Sequence, residues 1–447
     1  MRLAVSVSIA LLQGASGQLK VVIAEDQSHW LGEDSASVLY NDATLCSKHQ
    51  DCMHRLKAKG CSCSWSKDVS TIRNADALHF YVTPLRSGYG PGGGKVGMYK
   101  VPGNRSDYPA DQIWSAQTLE PEKHETLDRV RQHIDIEVSW RRSSDVYWSY
   151  YPMDSSWKEF KKMPSMRLKE DAEKTGIAPV AAFISSCSTT SKRLEFLEEL
   201  SRHIGVDSFG QCFNTANETE VLQKLGAPRH LFSIGPLAKK DWLMERYRFV
   251  AAFENTLVDD YVTEKFFGAL KSGAVPLYRG APNIDAFLPG NNSIIDATKF
   301  DSPEALATYL KEVLAGGEYE SFFAWKKGKP RPFFRDLRKH NHGNWCCRYC
   351  EELCIRKGVL KRENDEERGA SSAAAAQGEP VPGVSVPPGG AAKTVTEKVA
   401  QAKAPTAKPK GPALGTEDRH NARRWGPWGS GATKVEDKAV WRDDADL

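Results

Sequence analysis

The chain has no long hydrophobic run. A membrane-spanning helix needs about 20 apolar residues, and the one candidate block, Leu3 to Leu12, is too short, so no segment qualifies as such a helix. A surplus of one charge is missing too: 61 Lys and Arg against 57 Asp and Glu leave a formal net charge of +4, interspersed through the body. No nucleic-acid partner is expected from that balance. The glycine-rich piece Gly88 to Gly97 lacks the GKS or GKT ending of a phosphate loop and reads as a flexible loop. A DxD pair occurs only in the extreme tail, at Asp444 and Asp446, so the folded body carries no such carboxylate clamp for a divalent ion.

Cysteine, in contrast, is plentiful. Ten residues, at 46, 52, 61, 63, 187, 212, 346, 347, 350 and 354, follow an N-terminus with Arg2, a short apolar block and the small residues Ala15, Ser16 and Gly17. That start reads as a secretory signal peptide over residues 1–17, or as a short uncleaved anchor, which leaves membrane attachment open. An even cysteine count behind it implies disulfides in an oxidising lumen. Asn104, Asn217 and Asn291 stand in Asn-X-Ser/Thr triplets, consistent with the same compartment. The cluster CCRYCEELC admits metal binding through Cys347 and Cys350, but disulfides suit a secreted chain better.

Apolar runs at Leu19–Ala24, Ala75–Val82, Gln112–Leu119 and Ile134–Trp140 read as strands of a first α/β domain. Lys158–Gly176 is charged and weakly periodic, as a connection would be. A second α/β domain begins with the strand Ala178–Ser186, the amphipathic helix Lys192–Ile204 and the strand Val206–Cys212. Later, Ser302 and Pro303 are an N-cap and first helical residue for a helix over Glu304–Leu314. From about Lys361 the composition shifts to Ala, Pro, Gly, Lys and Glu without periodicity, which predicts a disordered tail.

The densest information lies in Tyr247–Gly280, YRFVAAFENTLVDDYVTEKFFGALKSGAVPLYRG. Phe249–Phe253 reads as a strand, Val262, Phe266, Ala269 and Gly273 as a helical stripe, and Ala274–Tyr278 as a second strand. Such a unit makes two parallel strands with a crossover helix and binds ligands at the strand ends. FENT, DYVTEK (Asp260–Lys265) and GAVPLYRGAPNIDAFLP (Gly273–Pro289) together resemble the donor-binding signature of the α1,3-fucosyltransferases, glycosyltransferase family 10. SWRRSSD, at Ser139–Asp145, is similar to the family's SYRRDSD, with Trp140 in place of Tyr. SSCSTTSKR resembles SNxNxxSxR and matches the family's arginine with Arg193, while Ser186 stands for the Asn.

The resemblance implies a GT-B fold, two Rossmann-like domains facing a cleft: an acceptor side over 18–157, a linker over 158–177, a GDP-fucose side over 178–355 that ends in the cysteine cluster, and the tail over 361–447. It implies an inverting transfer of fucose from GDP-β-L-fucose to a hydroxyl of a glycan or glycoprotein acceptor in the Golgi or endoplasmic reticulum lumen. It also implies a bridged CxxC, at Cys347 and Cys350. The linkage expected is α1,3 to N-acetylglucosamine of an N-glycan or Lewis-type chain; a protein O-fucosyltransferase and a non-catalytic lectin-like relative are the alternatives.

Such a transfer needs a base for the acceptor hydroxyl and charge to hold the leaving diphosphate. The family's LESP glutamate matches Glu120 of LEPEKH; with the Ser missing, Glu122 and Glu125 stay open as the base. Lys265 and Arg193 supply positive charge to phosphate oxygens. By resemblance Glu264 hydrogen-bonds the donor sugar, and Asn255 and Tyr261 are further donor contacts. Asp259 and Asp260 are expected to cap the helix, and Asp145 to cap or to pair with Arg141 or Arg142. No cofactor is required on this reading, a divalent ion being at most stimulatory.

Overall fold

A computed structural model describes residues 19–24, 50–66, 69–81, 105–121, 131, 133–152, 155–341 and 345–362. The proposed signal peptide, Asn104, Glu122, Glu125 and all but the first two residues of the proposed disordered tail lie outside these residues; of those two, Arg362 donates to Glu352 Oε1 at 2.7 Å. Two parallel sheets organise the rest. The first has six strands, β1 (Leu19–Ala24), β2 (Cys63–Ser66), β3 (Ala77–Tyr81), β4 (Ile113–Thr118), β5 (Ile136–Ser139) and β6 (Val146–Tyr147), in the order β2-β1-β3-β4-β5-β6. The second has five, β7 (Val180–Ala182), β8 (Val206–Ser208), β9 (Phe249–Phe253), β10 (Val275–Arg279) and β11 (Ile295–Asp296), in the order β11-β10-β9-β7-β8. Both orders are doubly wound, so each sheet reverses its winding between its first and third strands. The fold is the α/β, GT-B-like arrangement expected.

Central strands carry apolar runs because both sheet faces are covered. β9 reads FVAAF and is buried throughout. Phe249, Ala251 and Phe253 face one core with Leu197 and Leu200 of α4 (Arg193–Ser201) and Leu306 and Leu310 of α8 (Pro303–Ala315). Ala252 faces the other, with Phe266, Phe267 and Leu270 of α7 (Glu264–Ser272). Ser302 caps α8, its Oγ accepting from Ala305 N at 3.1 Å.

The expected charged linker folds into two helices, α2 (Trp157–Lys161) and α3 (Met166–Glu173), that pack beneath the second sheet. Phe160 of α2 sits against Phe334 and Phe267. Lys169 of α3 is fully buried and donates to the carbonyls of Glu245 and Tyr247 at 2.9 and 2.6 Å. Burial lowers its ammonium to about 7. Periodicity was weak there because two short helices each bury only one or two residues.

The cysteine cluster is a correction. It does not close the second body: α10 (Trp345–Arg356) returns to the first sheet, where Trp345, Tyr349 and Leu353 share a core with Val21, Ala77 and Val138. Cys347, Cys350 and Cys354 recur at helical spacing on one face. They pair with Cys52 in α1 (Gln50–Ala58), Cys63 and Cys61, not with each other, so the bridged CxxC implied by the resemblance is absent. Cys346 is bridged as well, and no described cysteine is free. The one sulfur trio close enough for a metal among the described residues, Cys61, Cys350 and Cys354, is consumed by these bridges. Beneath α10, His79 is held between Ser115 Oγ and Gln117 Oε1, both at 2.9 Å, and burial lowers it to about 4.

The three bridges have sequence separations of 295, 293 and 287 residues and close nearly the same loop. A single crosslink over such a loop stabilises by about 5 kcal/mol in the chain-entropy view, and further ones over the same loop add little. Replacing only Cys63 and Cys350 by Ala is therefore expected to cost less than about 2 kcal/mol, whereas full reduction by dithiothreitol costs several times more. Urea midpoints of the two samples under non-reducing and reducing conditions check this.

Candidate active site

The crevice at a winding reversal lies outside the carboxyl ends of the strands. In the second sheet that point is between β7 and β9, because α4 leaves β7 toward one face and α7 leaves β9 toward the other. The loops at the point are stitched together. Ser191 N donates to Asn255 O (3.1 Å) and Ser191 Oγ to Glu254 O (2.7 Å), while Thr190 and Thr256 hydroxyls meet at 3.0 Å. Cys187, which follows the substituted Ser186, is bridged to Cys212 beyond β8 and so pins the β7 loop.

Glu254 ends β9 and is completely buried. Its carboxylate accepts from Thr263 N at 2.8 Å and lies 2.8 and 3.0 Å from Thr263 Oγ1. Thr263, not Asp259 or Asp260, is the N-cap of α7. Burial raises the Glu254 carboxyl, against the opposing charge of Lys265 3.5 Å away. Gly280 makes room: a Cβ there would lie 2.6 Å from Glu254 Cγ and 2.3 Å from the Tyr278 hydroxyl. The motifs FENT and YRG by themselves assign Glu254 no role; a lone carboxylate closing a five-residue buried strand is the available signal.

Lys265 Nζ donates to Thr263 Oγ1 and to Glu264 Oε1, both at 3.0 Å. Burial alone pushes Lys265 down, but Glu264 and Glu254 outweigh it and raise the ammonium above its ordinary value. Burial likewise pushes Glu264 up, yet Lys265, Lys240 and two hydrogen bonds prevail and bring it to about 2. Lys240, on α6 (Pro236–Met244), is a neighbour the sequence reading missed; its Nζ stands 5.6 Å over the Phe183 ring at the end of β7. Arg193 opens α4 and is buried, with Nη1 donating to Phe253 O at 2.9 Å. Its Nε and the Oδ1 of Asn255 are buried polar atoms without a hydrogen-bond partner.

From the first sheet comes Glu120, just past β4. Asn255 Nδ2 donates to its Oε2 at 3.3 Å, so the predicted base and a predicted donor residue touch across the two sheets. Burial raises the Glu120 carboxyl above its usual range, against the charge of Lys265. Trp140 Nε1 donates to Glu120 O at 3.4 Å, and its ring packs edge-on against Tyr261, 5.1 Å between centroids. Burial pushes the Tyr261 phenol well above its ordinary value, with Tyr150 and Glu120 adding to the shift. Asp145 does not pair with Arg141 or Arg142: it accepts from Glu137 N (2.8 Å) and Arg356 Nη2 (2.6 Å), a bond back to α10. Asp260, with φ of 69°, instead receives Arg142. All six predicted site residues thus gather at one crevice, Glu120 from one sheet and Arg193, Asn255, Tyr261, Glu264 and Lys265 from the other.

Residues 172–363 match the family described as glycosyltransferase family 10 (fucosyltransferase), C-terminal part. The resemblance to family 10 is borne out. Among curated relatives, GDP-fucose protein O-fucosyltransferase 3 of Danio rerio is 39% identical over 153 residues, 34% of this chain and 31% of that protein. A putative fucosyltransferase-like protein of Arabidopsis thaliana is 34% identical over 239 residues, covering 53% and 40%. The chain therefore spans well under half the length of these curated relatives. Among solved structures, an α1,3-fucosyltransferase aligns with TM-score 0.45 and 17% identity over 78% of this chain and 91% of that one. Another, solved with GDP-fucose, aligns with TM-score 0.43 and 14% identity over 79% and 93%.

Removing a buried carboxylate leaves its partners uncompensated, at about 3–5 kcal/mol. Glu254→Ala is expected to lose that much unfolding free energy, and Glu254→Gln, which keeps an acceptor for Thr263 N, less. Denaturant titration of both variants measures the difference.

Proposed function

We propose that the chain transfers fucose from GDP-fucose to a hydroxyl on a glycoprotein acceptor, with inversion. The observation that carries this reading is the meeting of Glu120 with Asn255 beside Lys265 and Arg193. On it, the acceptor oxygen attacks the anomeric carbon as its proton passes to Glu120. The bond to GDP breaks on the opposite face, and the departing diphosphate takes the electron pair. Lys265 and Arg193 neutralise that charge in a partly dry site, where fixed cations act most strongly. Glu264 and the free Oδ1 of Asn255 accept from donor hydroxyls, and Tyr261 with Trp140 shelters the sugar. Neutralisation by these cations makes a divalent ion dispensable. The names of the relatives favour a polypeptide hydroxyl as acceptor over N-acetylglucosamine of an N-glycan. A secretory-pathway lumen as the workplace is supported by the bridged cysteines, and no described helix is long and apolar enough to cross a membrane.

Loss of one charge-assisted contact to a phosphate costs about 1.5–3 kcal/mol, so Lys265→Ala should weaken GDP binding about 10- to 100-fold by calorimetry. Glu120→Gln should keep GDP-fucose affinity and lose at least about 100-fold in turnover, including acceptor-free hydrolysis of the donor. Full activity in that variant would move the base elsewhere. Because a base works deprotonated and Glu120 is raised, kcat/KM in the wild type should climb with pH through a value above the ordinary carboxylate, near 4.3. Turnover after exhaustive chelation with EDTA should stay within about twofold of the untreated enzyme.

A further inference from the structure

The base and the donor groups stand on different sheets. Arg142, in the turn after β5, reaches across. Its backbone N donates to Asp260 Oδ2 at 3.0 Å and its Nε to Asp260 Oδ1 at 2.6 Å. The guanidinium also lies 5.6 and 5.4 Å over the rings of Phe287 and Phe333, both beyond β10. Asp260 is itself braced by Asn283: Asp260 N donates to Asn283 Oδ1 at 2.9 Å and Asn283 Nδ2 donates to Asp260 Oδ1 at 2.8 Å. Asp260 therefore holds a left-handed backbone that only a few residue types adopt readily, and Tyr261 follows it directly into the site.

We propose that Arg142 and Asp260 are a positioning pair that sets the distance between the base and the donor. Two residues before Arg142, Trp140 touches both Glu120 and Tyr261. Next to Asp260, Tyr261 closes the same ring of contacts. The pair thus fixes both ends of the Glu120 to Tyr261 separation from outside the reacting centre. A misplacement of about 1 Å there costs up to about 100-fold in rate. Donor affinity, in contrast, depends on Arg193, Glu264 and Lys265, which all belong to the second sheet and keep their own contacts without Arg142. This inference rests on the proposed fucosyl transfer and concerns the same site.

Acceptor-free hydrolysis of GDP-fucose needs both halves, whereas GDP binding needs one. Arg142→Ala, and Asp260→Gly, which tolerates the left-handed backbone, should each lower kcat for hydrolysis at least about tenfold while GDP affinity stays within about twofold. Arg142→Ala keeps the backbone bond to Asp260 Oδ2 and loses only the guanidinium one, whereas Asp260→Gly loses both, so the double variant should be no slower than Asp260→Gly alone, and Asp260→Asn should recover part of the rate. Hydrogen exchange in residues 136–148 and 255–263 should quicken in the variants, with the rest of the second sheet unchanged. Additive losses, a parallel fall in GDP affinity, or wild-type hydrolysis in Arg142→Ala would overturn the pair's role and leave the fucosyl-transfer reading standing. A wild type that neither binds nor hydrolyses GDP-fucose would overturn both.

Discussion

The carboxylate of Glu254 is the constraint on which the site depends. A strand end, a ten-residue loop and a helix start must meet at the winding reversal of the second sheet, and they meet on this one side chain. An unpaired carboxylate in such a place is too costly to persist. Thr263 N and Oγ1, and behind them Lys265, are what make it tolerable. The same bonds that satisfy Glu254 therefore fix where Glu264 and Lys265 stand in the first turn of α7. Gly280, where any side chain would collide with Glu254, shows the packing reaching β10 as well. Site and core are one construction here, which explains why FENT, TEK and YRG occur together in a single stretch of the chain.

Legibility followed burial. β1 and β9 were readable to the residue, and α8 nearly so, since a fully covered strand must be an apolar run and a capped helix announces its start. β2 and β6 were not. β2 is CSWS, four residues inside a cysteine-rich stretch, and β6 is two residues long, too short for any period to register. α6 escaped notice because only Leu243 and Met244 are buried along its nine residues. In the site, the residues carried by motif were placed together, but roles set by distance were not accessible. Asp260 sits where a cap is commonplace, and nothing local says that its partner is Arg142, 118 positions earlier. Disulfide pairing was unreadable for the same reason: cysteine positions say nothing of which distant segment lies alongside.

Charge in the crevice is closely matched before any ligand arrives. Lys265, Lys240 and Arg193 face Glu264, Glu254 and Glu120, and burial acts on all of them. The outcome differs by position. Glu264 stays ionised because two ammonium groups outweigh its desolvation, while Glu120 and Glu254, less well compensated, are pushed toward the neutral form. One set of charges and burial thus pushes neighbouring carboxylates in opposite directions from their ordinary values.

The return of α10 to the first sheet has a consequence for synthesis. Cys52, Cys61 and Cys63 emerge from the ribosome early, and their partners follow nearly 300 residues later. In topological terms the second sheet is an insertion within the first body, which stays open until residue 354 has been made. During that interval the second sheet, whose contacts are more local, has time to form on its own, and three thiols wait unpaired beside it. Cells making this protein must therefore shield the unfinished first half through most of translation, and errors of pairing would arise there before they arose anywhere near the crevice.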